Sequence, residues 1–163
     1  MVENSLKAQE EKDYGEYYKS HLFEQYKLYV DSIEKTSDRR QQTNSYFIGI
    51  NTALITLIGL SLEIDALKDS IWLRPIISLL GVIISVVFWF LIRSYKQLNS
   101  GKFQVIHEIE ELLPLKLYVH EWNILEKGKN YKKYYPFSHI ELLIPWVFAM
   151  MYIVIGIIFC LSS

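Results

Sequence analysis

The 163-residue sequence predicts an all-α membrane protein. It has three transmembrane helices, a long first helix extending into the cytoplasm, and a small helical cytoplasmic lobe between spans two and three. Three observations predict this. The tracts 41–62, 75–92 and 142–163 are apolar and contain no Lys, Arg, Asp or Glu, although 21% of the chain is charged. A helix needs about 20 such residues to cross the hydrocarbon core, and one mid-membrane charge costs roughly 3 kcal/mol on insertion scales. Second, the cations are distributed asymmetrically. Seven Lys and Arg precede the first tract and eight lie between the second and third, against only Lys68 and Arg74 between the first and second. The positive-inside rule then places the N-terminus and the 93–141 stretch in the cytoplasm, with the C-terminus outward. Third, helical periodicity begins well before the first tract.

The elements follow in order. Residues 1–13 are polar, lack periodicity and read as a flexible cytoplasmic tail; no apolar h-region is present, so no cleaved signal peptide is expected. Residues 14–43 read as a cytoplasmic helix, because Leu22, Tyr26, Tyr29, Ile33 and Thr36 recur at spacings of three and four. It leads into transmembrane helix 1 over 44–62. No Pro precedes Pro75, so a continuous helix from Tyr18 to Leu62, roughly 65 Å at 1.5 Å per residue, is favoured over two helices broken near Thr36–Asp38. An outer loop spans 63–70.

Transmembrane helix 2 covers 71–93, with Trp72 and Arg74 at one interface and Trp89, Arg93, Tyr95 and Lys96 at the other. Asn99-Ser100-Gly101 reads as a helix stop. The cytoplasmic segment 94–139 holds an amphipathic helix over 102–113, striped by Phe103, Ile106, Ile109 and Leu113 and ended by Pro114. Its polar face is acidic, which favours packing on protein over anionic lipid. Glu121–Leu125 supports a turn or two of helix closed by Gly128, and Tyr131–Phe137 reads as an interfacial approach. Ser138-His139-Ile140-Glu141 matches a capping box before transmembrane helix 3 over 140–162, in which Pro145 predicts a slight bend.

Span one carries the candidate site. Ser45, Gly49, Thr52, Thr56 and Gly59 form a stripe of small residues at heptad spacing, extended by Gln42 and Asp38, and Asn44 and Asn51 make a neighbouring polar line. Small residues let helix backbones approach and hydroxyls bond across the contact for roughly 0.6–2 kcal/mol. Span two repeats the pattern with Ser78, Gly81 and Ser85, and span three offers Ala149 and Gly156. Two readings stay open: helix packing within and between subunits, or the lining of a polar pore. Cytoplasmic interface candidates are Arg39, Arg40, Phe103, Ile106, Ile109 and Trp122; the two arginines suit lipid phosphates or a neighbouring subunit's carboxylate.

Other chemistry is weakly supported. Net charge is −1, which gives no field for nucleic acid. Cys160 stands alone in its tract, so no intrachain disulfide is possible. His21, His107, His120 and His139 lack metal-ligand spacing and read as solvated histidines. No phosphate loop, nucleophile elbow or Cys–His set is present, so no enzyme, cofactor or metal is expected.

Several stretches together carry a family resemblance: Ser37-Asp38-Arg39-Arg40-Gln41 through Asn44, Phe47, Asn51, Thr52, Leu54 and Gly59; Gly101-Lys102-Phe103 through Glu110 to Leu113-Pro114; Glu121-Trp122 with Leu125; and Tyr135-Pro136-Phe137 with Glu141 and Ile144-Pro145. The sequence resembles the RipA family of bacterial octameric membrane proteins over roughly residues 20–150. That resemblance implies a homo-oligomer of eight copies in the bacterial cytoplasmic membrane and carries over no functional residue. The expected partners are the bilayer, other copies of the chain and an unidentified cytoplasmic protein. The expected function is a non-enzymatic membrane scaffold or recruitment platform; the alternative is a pore or channel passing ions or small solutes. A third idea, a pH sensor built on the cytoplasmic histidines, is weaker.

Overall fold

The structure is a computed structural model and describes residues 6–68, 72–134 and 137–161. Tyr135 and Pro136 of the expected interfacial approach lie outside the described residues, as do the first five residues, 69–71 and the last two. Among the described residues all regular structure is helical: α1 (Glu11–Tyr14), α2 (Tyr18–Glu63), α3 (Asp65–Lys68), α4 (Leu73–Glu110), α5 (Leu117–Ile124), a 3-10 turn (Glu126–Gly128) and α6 (Phe137–Leu161). Helices α2, α4 and α6 are each long and apolar enough to cross a membrane.

Helix α2 is continuous for 46 residues, with no break near Thr36–Asp38. Helix α4 is longer than its sequence suggests. It runs 38 residues, through Asn99-Ser100-Gly101, so the expected stop is absent and the 102–113 amphipathic helix is the end of α4. The reason is a buried or half-buried row at Ser78, Gly81, Ser85, Phe88, Ile92, Tyr95, Asn99, Lys102 and Ile106. Its spacing alternates three and four without a slip. Gly101 lies on the exposed face, where a helical Gly costs only about 1 kcal/mol relative to Ala. The helix ends instead at Glu110, where Leu112 and Leu113 amides tighten onto the Ile109 and Glu110 carbonyls.

The chain forms two compact units, residues 1–38 with 96–136, and residues 39–95 with 137–163. The first packs the start of α2 and the end of α4 around Ile33, Ile106 and Ile109. Lys102 stands over the Tyr29 ring at 5.1 Å and donates to Ser32. Phe103 meets Tyr118 edge-on at 5.8 Å.

The second unit holds the apolar parts of α2, α4 and α6. Its core is Ile58, Phe88, Ile92, Ala149 and Tyr152. Phe47 and Phe88 stack at 4.9 Å, and Trp89 meets Trp146 at 6.0 Å. Pro145 is buried within an unbroken α6. The outer faces leave Leu57, Ile76, Leu79, Phe90, Leu143 and Ile158 exposed. An apolar surface this continuous is not tolerated by water on a monomeric protein; hydrocarbon is the solvent it suits.

Candidate functional site

Asn51 is the node of the three spanning helices. It is fully buried. Its amide donates to the Phe47 carbonyl at 2.8 Å, and its backbone carbonyl accepts the Tyr152 hydroxyl at 2.9 Å. The Ser85 hydroxyl lies 3.2 Å from Asn51 Oδ1 and 2.8 Å from the Gly81 carbonyl, so one proton serves two acceptors. A buried amide left unpaired costs several kcal/mol in hydrocarbon; here α2 and α4 supply its partners, and the Tyr152 hydroxyl of α6 takes up the backbone carbonyl of the same residue. The small residues of span two explain the fit. A Cβ added at Gly81 would sit 2.5 Å from the Tyr152 ring, and one at Gly156 would sit 3.5 Å from Ser78 Cβ.

A second polar cluster joins α2 to α6. Glu141, nearly fully buried, accepts Asn44 Nδ2 at 2.7 Å and faces Arg40 Nη1 at 3.3 Å. Arg40 thus meets a carboxylate of its own chain. The expected capping box falls on Ser138 and His139, whose side chains lie outside the described ones. Arg40 Nε, Asn44 Oδ1 and Glu141 Oε2 are buried without a hydrogen-bond partner, although Oε2 keeps its charge contact with Arg40. Arg74 closes the opposite end. It donates to the Ser61 hydroxyl at 3.0 Å and the Ser61 carbonyl at 2.8 Å and lies over the Phe159 ring at 5.1 Å.

The two lines read from span one therefore separate. Asn51 faces inward and Asn44 is half-buried beside Glu141, whereas Ser45, Gly49, Thr52, Thr56 and Gly59 are all exposed. A Cβ at Gly49 or Gly59 would meet nothing within 4 Å. Thr52 and Thr56 donate their hydroxyl protons to the carbonyls of Ile48 and Thr52 at 2.8 and 2.9 Å.

Glu110 organises the other unit. It is fully buried and accepts the Tyr118 amide at 2.8 Å, the Val119 amide at 3.0 Å and the Tyr26 hydroxyl at 3.2 Å. These amides belong to the first turn of α5, whose own N-cap Lys116 supplies no side-chain cap. Glu110 caps that helix from a distance and complements its dipole. Burial first, then the Glu110 carboxylate, pushes the Tyr26 phenol up to about 12, which keeps it a donor.

Ile106 and Ile109 lie in the core of this unit and Phe103 is half-buried, whereas Arg39 and Trp122 are exposed. His21 accepts or donates at Tyr14 OH at 2.8 Å and stacks on Tyr17. Among the described residues, no three of His, Cys, Asp and Glu gather as a metal site would need. Sequence reasoning passed over Glu110 and the Arg40–Glu141 pair. Glu110 was findable: it falls at 103, 106, 110 and 113 on the apolar stripe, where a carboxylate requires partners.

Three apolar helices bound by an internal Asn–Ser–Tyr node define a three-span helical membrane protein. The chain belongs to the Octameric membrane protein family (8xMP), whose model matches residues 23–161, in keeping with the family its sequence resembles. No curated protein and no solved structure matches it.

Proposed function

We propose that the protein is a non-enzymatic scaffold: eight copies in a ring in the bacterial cytoplasmic membrane, with the N-terminus and the 94–139 segment on the cytoplasmic side, recruiting a soluble partner there. One observation carries this reading. The α2 stripe is exposed along its whole length in the protomer, and its threonine hydroxyl protons are donated to its own backbone. The carboxamide best suited to line a conduit, Asn51, is buried inside the protomer. What remains on the surface is small and shallow, which suits close packing of helices from neighbouring copies.

Gly49→Leu with Gly59→Leu tests it. Both added side chains enter open space in the protomer, so helicity and protomer melting should hold while native mass falls below the octamer. An unchanged octamer would place the subunit contact elsewhere. The exposed, uninterrupted run of small and hydroxylic residues also favours a second reading, a conduit for ions or small solutes. Current through planar bilayers from intact oligomer would select it; silence at every voltage would remove it.

A further inference from the structure

We propose that, in the assembled ring, a groove between α2 and α5 receives the lysine-rich 127–133 segment of a neighbouring copy. A cyclic assembly of more than two copies needs two different, mutually complementary patches on each protomer, and both are present within one compact unit. The groove encloses about 520 Å3. Tyr26, Val30 and Leu117 give it an apolar floor; Glu34 and Glu121 supply negative charge, Asp31 is already paired with Lys35 at 2.6 Å, and Lys27 is the cation on the lining. The Tyr118 phenol on its wall is raised, by burial first and then by Glu34 and Glu121, so the negative field reaches into the groove.

The complementary patch lies past the other end of α5. Lys127, Lys129, Lys132 and Lys133 are all exposed within seven residues. They sit on a tight turn in which Glu126, Lys127 and Gly128 take φ of 51°, 54° and 69°. Asn130 and Lys133 both donate to Glu126, at 3.1 and 3.2 Å, which braces the turn. Leu117 begins the eight-residue helix α5 and Glu121 lies mid-helix, while the Lys turn follows its C-terminal end. That separation suits a head-to-tail contact between copies. Lysine stems cover apolar surface while their ammonium groups reach carboxylates.

The inference rests on the oligomeric reading, and the experiment separates the two. Chain one carries Glu34→Lys and Glu121→Lys; chain two carries Lys129→Glu and Lys132→Glu. Alone, each places like charges across the contact and should lose the octamer about tenfold in native mass spectrometry of the detergent-extracted full chain. Co-expressed with different tags, the two alternate around an even-numbered ring and should restore wild-type mass, which also shows that both fold. Either chain assembling normally alone, or a mixture that fails to recover, overturns the contact. Failed recovery together with lost vesicle binding by chain two would assign the lysines to anionic lipid instead. In a Cys160→Ser background, Glu121→Cys with Lys132→Cys should oxidise to an intermolecular ladder; a bridge within the monomer, or none, overturns it too. A wild-type chain that runs as a monomer would instead overturn the oligomeric reading itself.

Discussion

The ring of Tyr152 occupies the space that a side chain at Gly81 would need, with ring carbons 2.5 Å from the position of a Cβ. The ring cannot swing aside easily, because its hydroxyl is tied to the Asn51 carbonyl at 2.9 Å and it is fully buried. Gly81→Ala is therefore expected to destabilise the protomer. Overpacking costs about 1–3 kcal/mol, against roughly 1 kcal/mol that Ala returns in helix propensity. Melting in detergent should fall for Gly81→Ala and hold or rise for Gly49→Ala, which enters open space.

Removing the remote cap should loosen α5 selectively. Glu110→Ala leaves the Tyr118 and Val119 amides and the Tyr26 hydroxyl without their acceptor, at about 1–3 kcal/mol for each group that water cannot reach. Hydrogen exchange at those two amides should accelerate while exchange in 44–62 stays slow. Equal acceleration in both places would mean that Glu110 supports more than its own unit.

The same cluster predicts an alkaline transition. The Tyr26 value of about 12 lies above its ordinary 10.0, so folding favours the protonated phenol. Its contribution is complete below pH 10 and is lost as pH rises toward 12. Comparison with Tyr26→Phe isolates this step from the other tyrosines. The wild type should lose stability between those pH values more steeply than the variant, read by circular dichroism of the helix band.

Breaking the buried ion pair from one side should cost more than replacing both partners. Glu141→Ala strands Arg40 and the Asn44 amide, at about 3–5 kcal/mol, whereas Arg40→Met with Glu141→Gln, which keeps an acceptor for Asn44, should recover most of the melting temperature. A double variant as unstable as the single would show that the pair specifies the α2–α6 contact beyond its charge.

The spans were legible because a bilayer imposes a long, charge-free pattern that few other folds share. The length of α2 was legible for a related reason: the row from Leu22 to Thr36 meets no Pro. Helix α4 misled because Asn99-Ser100-Gly101 is a local stop signal, overridden by a packing row whose period extends past it on both sides. The division of span one into an inward and an outward line was not legible, since Asn44, Ser45, Asn51 and Thr52 are chemically alike in one dimension. Only the partners contributed by Ser85, Tyr152 and Glu141 distinguish them. Glu110 was overlooked because a carboxylate near the end of an acidic helix resembles solvated charge until the first turn of α5 is brought onto it.

Thr52 and Thr56 each carry one hydroxyl proton, and each directs it back along its own helix. To anything approaching from outside they offer methyl groups and an oxygen that accepts but does not donate. Those two hydroxyls thus present a one-sided surface, ready to receive a proton from a visitor and with none to give.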